Sequence, residues 1–154
     1  MSALGQSGVN GAARERGEQV SDFNAQIIDE FRANEGRVGG PFEGATVLLL
    51  TTTGAKTGKV RTTPLVYLDG GDGTIYVFAS KGGAPTNPDW YHNLLAHPSV
   101  VVERGTERYE ATATPVTGPL RDEIYARQVE RFPGFAEYQQ QAGRVIPVVA
   151  LRRT

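Results

Sequence analysis

Residues 46–68 read Thr46-Val47-Leu48-Leu49-Leu50-Thr51-Thr52-Thr53-Gly54-Ala55-Lys56-Thr57-Gly58-Lys59-Val60-Arg61-Thr62-Thr63-Pro64-Leu65-Val66-Tyr67-Leu68. Two apolar segments flank a loop that holds three cations, several hydroxyls, two glycines and no acid. Short apolar runs bounded in this way predict two β-strands joined by the loop. The loop suits an anionic ligand, above all one with a phosphate, because lysine, arginine and backbone N–H groups bind phosphate oxygens.

Similar apolar runs bounded by turn residues predict four more strands further along the chain. The six strands are expected at residues 46–53, 62–68, 74–79, 99–103, 107–114 and 146–151. Turn residues at 69–73 and 104–106 join neighbouring strands closely, which favours an antiparallel sheet or barrel over a doubly wound fold. The chain therefore predicts an α+β fold with about six mainly antiparallel strands and flanking helices.

Three helical segments are expected around these strands. Phe23, Ile27 and Phe31 recur every four residues, with Ser21 or Asp22 as cap and Gly36 or Gly39-Gly40 as the end. Asn87-Pro88-Asp89 is typical of a helix start, with Asn87 as the capping residue, and the helix is expected to end at His97-Pro98. The third begins near Thr117-Gly118-Pro119, is broken by Pro133-Gly134 and continues through Phe135 and Tyr138.

Length and composition narrow the class of protein. A chain of 154 residues predicts one domain, at residues 20–154, behind a disordered or loosely attached tail at residues 1–19. A net charge of −1 argues against a nucleic-acid binder. With no cysteine and with His92 and His97 five residues apart, we expect no metal site. The polar tail and the lack of a long apolar run predict a cytoplasmic protein without stable membrane anchoring.

The segment from Gly54 to Lys59 has the look of a P-loop but not its spacing. Thr53 stands where the first glycine is needed, and Val60 stands where a serine or threonine should follow the lysine. This argues against triphosphatase chemistry and leaves a simpler cradle for phosphate or carboxylate oxygens.

Three further motifs can either line a ligand site or serve the fold alone. Ser80-Lys81-Gly82-Gly83 permits close backbone approach to a ligand, or is a flexible turn. Trp90 and Tyr91 can stack on a flat ligand or anchor their helix. Phe132, Phe135 and Tyr138, spaced by three residues, suit core packing or, given the proline break, the rim of a pocket.

Four stretches in this order resemble the deazaflavin-dependent nitroreductase family. They are Leu50 to Leu65, Ala79 to Gly83, Asn87 to Leu94 and Ile146 to Val149, within residues 22–153. The resemblance implies a split β-barrel that binds the reduced deazaflavin coenzyme F420. That coenzyme has a flat ring, a phosphate and a glutamate tail, so its anionic groups match the basic loop.

The resemblance also implies the residues of the site. Lys56, Lys59 and Arg61 are expected to hold the phosphate and tail, with Thr57 and Gly58 offering backbone donors. The remaining coenzyme-lining residues are Thr63, Pro64, Leu65, Val66, Tyr67, Phe78, Ala79, Ser80, Lys81, Asp89, Trp90, Tyr91 and Asn93. The substrate-facing residues are Trp90, Phe132, Phe135 and Tyr138. Relatives that reduce nitroimidazoles carry more tyrosine in this last cluster, so a more apolar substrate is expected here.

The predicted activity is hydride transfer from reduced coenzyme F420 to an electron-poor small molecule, such as an enone, lactone, quinone or nitro compound. Ser80 and Tyr138 are the catalytic candidates, as hydrogen-bond donors to the acceptor's oxygen. Two alternatives stay open: an FMN-binding split-barrel oxidoreductase, since FMN also has a phosphate, and a non-catalytic deazaflavin carrier. The expected assembly is a monomer or homodimer.

Overall fold

A closed barrel of six antiparallel strands forms the body of the protein, and its strand order is β1-β2-β3-β6-β5-β4. The computed structural model describes residues 24–39 and 46–154. The strands are β1 (Val47–Thr53), β2 (Val60–Asp69), β3 (Ile75–Phe78), β4 (Ser99–Arg104), β5 (Glu107–Val116) and β6 (Val148–Arg153). The helices are α1 (residues 24–33), α2 (Asp89–Ala96), α3 (Gly118–Arg131) and α4 (Gly134–Ala142).

These elements confirm the predicted α+β class and its six mainly antiparallel strands. β4 pairs with β1 as well as with β5, which closes the barrel. The predicted tail at residues 1–19, the caps at Ser21 and Asp22, Phe23 and Gly40 lie outside the described residues. In the part of the chain that the structure describes, no helix combines the length and the apolar character needed to cross a membrane.

Side chains of the strands alternate between the barrel interior and its outer face. In β1, Leu48 and Leu50 belong to the interior cluster, whereas Val47 and Leu49 face outward and pack with Phe31 of α1. Other strands of the barrel also consist of unbroken apolar runs. They are buried on both faces because helices cover the outside of the barrel.

Helices α3 and α4 cover the outer face of β3 and β6. The outward side chains of β3 and β6 cluster with the buried face of α3, which includes Ile124 and Tyr125, and with Ala142 of α4. Phe132-Pro133 separates the two helices, as the proline predicted. Helix α2 instead inserts Trp90 and Leu94 into the interior cluster, so its first turn sits firmly against the barrel.

Two strand starts and one helix cap differ from the sequence expectation, and each of these differences has a physical cause. Strand β2 begins at Val60 rather than residue 62, because Val60 pairs with Thr53 and Arg61 with Thr52; Arg61 is therefore a strand residue. Strand β6 begins at Val148 rather than Ile146, because the N–H and carbonyl of Ile146 bond to side chains of α4 and α3.

The third difference concerns the start of α2. The Asn87 side chain does not cap the helix; Pro88 occupies the cap position and makes no side-chain cap bond. The Asn87 Oδ1 atom instead accepts a hydrogen bond of 2.6 Å from Arg144 Nη1. The Asn-Pro-Asp motif thus predicted the position of the helix, but it did not predict that the Asn87 side chain bonds to Arg144 instead of capping the helix.

Candidate active site

The larger of two cavities beside strand β2 is bounded mainly by aromatic and apolar side chains, and we call it the aromatic cavity. Its volume is about 680 Å³. Strand β2, the end of β3, the turn after it, the first turn of α2 and the α3–α4 junction each contribute to its wall. The lining residues are Pro64, Leu65, Val66, Phe78, Ser80, Lys81, Gly82, Trp90, Arg131, Phe132, Pro133, Gly134, Phe135 and Tyr138.

The second cavity, the cationic cavity, has a volume of about 560 Å³. Its lining residues are Gly54, Ala55, Lys56, Thr57, Arg61, Asp89, His92 and Asn93. Within residues 24–39 and 46–154, neither Lys56 nor Arg61 lies within ion-pair distance of a carboxylate. Their charges are therefore available to an anionic ligand.

The two cavities share two borders. Along β2, Arg61 faces the cationic cavity and Pro64, three residues on, lines the aromatic one. At the start of α2, the adjacent residues Asp89 and Trp90 are divided between them in the same way. A ligand with a flat apolar part and an anionic part can therefore place one part in each cavity.

The loop between β1 and β2 holds its own shape by internal hydrogen bonds. The Gly54 N–H donates to the Lys59 carbonyl at 2.7 Å, and the Gly58 N–H donates to the Gly54 carbonyl at 2.9 Å. The Thr57 hydroxyl accepts from the Lys59 N–H at 3.2 Å. The Gly58 N–H, which we expected to donate to a ligand, is bonded within the turn in this structure.

Asn93 fastens this loop to helix α2. Its Oδ1 atom accepts from the Ala55 N–H at 3.0 Å, and its Nδ2 atom donates to the Thr52 hydroxyl at 3.4 Å. The side chain is buried, so both groups would be costly to leave unpaired. Asn93 lines the cationic cavity, and its amide also positions the loop at residues 54–59.

The connection from β3 to α2, residues 80–87, is held from outside by Arg144. The guanidinium donates to the backbone carbonyls of Ala79 and Ser80, both at 3.3 Å. It also donates to the following acceptors: the Ala84 carbonyl at 3.2 Å, the Thr86 carbonyl at 2.9 Å and Asn87 Oδ1 at 2.6 Å. Arg144 was not among the predicted site residues, because nothing near it in the sequence indicates that its partners lie about 60 positions earlier.

The turn that follows Ser80 has an unusual backbone. Lys81 has a φ of 49°, which is uncommon for a residue with a side chain, and Gly83 has a φ of 87°. A Cβ atom on Gly83 would lie 2.8 Å from the Gln141 Oε1 atom and 3.2 Å from the Tyr138 Cα atom. Glycine here lets α4 approach the turn closely, which brings Ser80 and Tyr138 to the same cavity.

Aromatic packing fixes the wall formed by the α3–α4 junction. The Phe135 ring lies 5.7 Å from Phe78 and 5.1 Å from Tyr138, centroid to centroid. The Tyr125 hydroxyl donates to the Phe135 carbonyl at 2.6 Å, and burial raises the pKa of Tyr125 to about 12. The junction is thereby tied to α3 on the side away from the cavity.

Most of the predicted site residues line the two cavities. Some predicted residues lie outside both, namely Gly58, Lys59, Thr63, Tyr67, Ala79 and Tyr91. Tyr91 instead borders a separate cavity of about 390 Å³ between α2 and the start of α3. Sequence reasoning missed the following lining residues: Gly54, Ala55, Gly82, His92, Arg131, Pro133 and Gly134. Except for Arg131, which has no sequence signal, they adjoin or lie within the motifs already described.

A barrel with an aromatic cavity beside a cationic one defines a binding protein for a flat, anionic coenzyme. The profile of the F420H(2)-dependent quinone reductase family matches residues 25–153. An F420H(2)-dependent quinone reductase of Mycobacterium tuberculosis is 44% identical over 129 residues, which cover 80% of this chain and 85% of the relative.

Solved structures agree with this match. One described as an F420-H2 dependent reductase is 40% identical, has a TM-score of 0.64 and covers 70% of this chain and 94% of its own. Another, described as a domain-swapped dimer, is 33% identical, has a TM-score of 0.65 and covers 89% of this chain and 99% of its own. The haem storage protein HutZ of Vibrio cholerae, at 17% identity and a TM-score of 0.54, covers 85% of this chain and 90% of its own and shares the fold alone.

The chain belongs to the F420H(2)-dependent quinone reductase family. It is an F420H2-dependent reductase, and its coenzyme is F420. The predicted membership of an F420-dependent reductase family is confirmed. The nitroreductase name is not the one that the matching family carries, so reduction of nitro compounds stays a prediction.

Proposed function

We propose that this chain reduces quinones, with reduced coenzyme F420 as the electron donor. The supporting observation is the arrangement of the two cavities. The aromatic cavity is lined by aromatic side chains and by the hydroxyl-bearing residues Ser80 and Tyr138, and it borders the cationic cavity along β2 and α2. The names of the relatives favour a quinone among the electron-poor acceptors that the sequence allowed.

The chemistry of the cavities suits the coenzyme. The phosphate and glutamate tail would be held by Lys56 and Arg61, whose charges face the cationic cavity without a carboxylate partner in the described residues. The flat ring requires an apolar slot, which the aromatic cavity offers next to Pro64 and Trp90. The Lys59 side chain lies outside the cavity lining, so we assign it at most a long-range electrostatic role.

When bound, the reduced coenzyme supplies two electrons and a proton as hydride. Ser80 and Tyr138 would donate hydrogen bonds to the quinone oxygen on which negative charge develops, and a proton from Tyr138 or from solvent would complete the quinol. Phe132 and Phe135 would flank the quinone ring and keep water from it. These roles orient the acceptor and favour the charged transition state over the neutral ground state.

The proposed function is tested by following the return of the coenzyme to its coloured oxidised form with a panel of acceptors. The panel should hold a small naphthoquinone, an enone, a lactone and a nitroimidazole. We expect the naphthoquinone to have the highest kcat/KM. A higher value for any of the other classes, or no oxidation above the protein-free rate with the quinone, would contradict the proposal.

Two variants test the assigned roles. We expect Ser80→Ala and Tyr138→Phe each to lower kcat/KM about 10- to 100-fold, because one hydrogen bond to a developing oxyanion is removed. Leu120→Ala, an exposed residue of α3 outside both cavities, serves as the matched control and should leave kcat/KM unchanged. Unchanged kcat/KM in both site variants would remove the assignments.

The proposal extends to assembly and location. We propose a monomer or homodimer that acts in the cytoplasm on a small-molecule acceptor. The related domain-swapped dimer supports the possibility of self-association through exchanged segments. Sedimentation velocity across a range of protein concentrations tests this, and a species larger than a dimer would contradict it.

A further inference from the structure

Arg131 lines the aromatic cavity, yet the reduction outlined above assigns it no role. It stands in the last turn of α3, and its guanidinium carbon lies 5.8 Å from the centroid of the Phe132 ring. Its side chain is exposed, and within residues 24–39 and 46–154 it makes neither an ion pair nor a hydrogen bond. Arg131 can therefore bind an anion in the cavity without first breaking an ion pair or a hydrogen bond to a described residue.

The charges of the other residues that line the aromatic cavity also favour an anion. Lys81 is its other cation, and no residue of the lining is Asp or Glu. The two cations are held differently, because the Lys81 Nζ atom donates to the Thr86 hydroxyl at 3.2 Å whereas Arg131 has no such tether among the described residues. The planar guanidinium can also bind two oxygens at once, which a lysine cannot do.

We propose that Arg131 is a specificity-determining residue that selects quinones bearing an ionised acidic substituent on or near the ring. This inference rests on the proposed function, since it names the kind of quinone that the cavity prefers. Phe132 would hold the ring and Arg131 the substituent, so that the two neighbouring residues read the apolar and the charged part of one acceptor. The electron balance is that of the parent reduction, because the anionic substituent takes no part in the transfer.

The test uses two quinones that differ chiefly in charge. Lawsone is a naphthoquinone whose hydroxyl is ionised at neutral pH, and its methyl ether is neutral. We expect Arg131→Gln to lower kcat/KM for lawsone about tenfold more than for the ether, mainly through KM, because the variant removes the ion pair with the ionised hydroxyl; tenfold corresponds to about 1.4 kcal/mol. For Arg131→Lys, kcat/KM with lawsone should lie between the values of the wild type and of Arg131→Gln, because lysine keeps the charge but not the planar fork of the guanidinium.

The matched control is Arg127→Gln. Arg127 lies one turn earlier on α3 and outside both cavities, so its loss changes the net charge equally without changing the lining. We expect this variant to leave both quinones unaffected. An equal loss of lawsone preference in Arg127→Gln and Arg131→Gln would overturn the assignment, because it would point to the overall charge of the helix.

A binding measurement separates this inference from the proposed function. Trp90 is the chain's one tryptophan and lines the aromatic cavity, so a bound quinone should quench its fluorescence. With oxidised coenzyme present there is no turnover, and we expect Arg131→Gln to raise the Kd of lawsone about tenfold while the Kd of the ether stays constant.

The outcomes are distinct. If the wild type reduces both quinones but Arg131→Gln affects them equally or not at all, the inference fails and the proposed function stands. If the wild type binds lawsone through Arg131 yet reduces neither quinone, the proposed function fails and the anion site stands. If the wild type does not bind lawsone at all, the inference is overturned.

Discussion

Two loops carry the site, and they differ in how much of their support comes from outside. The loop at residues 54–59 keeps its shape by hydrogen bonds among its own residues and needs one outside anchor, Asn93. The connection at residues 80–87 has two backbone hydrogen bonds of its own, from the Gly83 N–H to the Ser80 carbonyl and from the Ala84 N–H to the Lys81 carbonyl. It receives more from outside, because the Arg144 guanidinium donates to four of its residues as well as to the Ala79 carbonyl. The first presents cations to an anionic ligand, and the second presents Ser80 to the aromatic cavity.

The difference indicates which property, ligand affinity or stability, a substitution in each loop should change. A loop that is bonded internally can lose an exposed side chain and keep its backbone, so changes there should affect ligand affinity more than stability. A segment that takes most of its hydrogen bonds from one distant guanidinium should lose part of its conformation when that group is removed. Damage to the second loop should therefore reach both the fold and turnover.

The largest effect is expected for Arg144→Ala. The change removes four hydrogen bonds to the connection and one to the Ala79 carbonyl, so we expect the free energy of unfolding to fall by about 2–3 kcal/mol. Displacement of Ser80 should lower kcat/KM about 100-fold, because small errors in position are costly to catalysis. Urea unfolding and steady-state kinetics measure the two effects.

A conservative variant and a control make this prediction specific. Arg144→Lys keeps the charge but not the fork, so it should recover only part of the activity. Arg127→Ala removes an arginine that makes no hydrogen bond or ion pair with the described residues and should be neutral. Full activity in Arg144→Ala would show that the connection holds itself, and the contrast between the loops would disappear.

The same contrast explains how much could be read from the sequence. The strands, the basic loop and the Pro133 break follow from short-range patterns, namely apolar runs, glycines and proline, and the structure has all of them. Arg144 and Asn93 act across the fold, on partners about 60 and 40 positions away, and no local pattern reports such pairing. The motifs around Ser80 and Phe132 likewise led us to expect a ligand site. Arg131 was not among the expected residues, because a lone arginine in a helix resembles any solvated residue.

A second effect, smaller than the first, is expected for two cations at the end of the first loop and the start of β2. The sequence treats Lys59 and Arg61 alike, whereas the structure places only Arg61 in the cationic cavity. We expect Arg61→Glu to raise the Kd of oxidised coenzyme F420 about tenfold or more at low salt, and Lys59→Glu to raise it about threefold at most. Fluorescence titration of the coenzyme measures both.

Salt and stability complete this test. The Arg61→Glu effect should shrink as ionic strength rises, since the attraction between partly exposed charges is screened. Neither variant should change the free energy of unfolding by more than about 0.5 kcal/mol, because the loop's hydrogen bonds are internal. Equal losses of affinity in the two variants would mean that the coenzyme senses only the overall charge of the loop.

The smallest effect is expected at Tyr125, which supports the cavity wall that neither loop provides. Tyr125→Phe removes the bond of 2.6 Å to the Phe135 carbonyl, so we expect the free energy of unfolding at neutral pH to fall by about 1 kcal/mol. Turnover should change little, because packing of Phe135 against Phe78 and Tyr138 remains. A loss of turnover as large as that of Arg144→Ala would show that the wall is as fragile as the second loop.

The pH dependence of this contribution follows from the raised pKa of Tyr125. Burial moves the pKa to about 12 in the folded protein, above the value of about 10 in an unfolded chain. The neutral hydroxyl is therefore favoured by folding, and its contribution is complete below about pH 10 and is lost as the pH rises toward about 12.

Urea unfolding at pH 8 and at pH 11 should show a smaller alkaline loss in Tyr125→Phe than in the wild type. Some loss should remain in the variant, since burial also raises the pKa of Tyr109. An alkaline loss of the same size in both proteins would mean that the Tyr125 hydroxyl is no better protected than one in an unfolded chain, and the wall would then rest on aromatic packing alone.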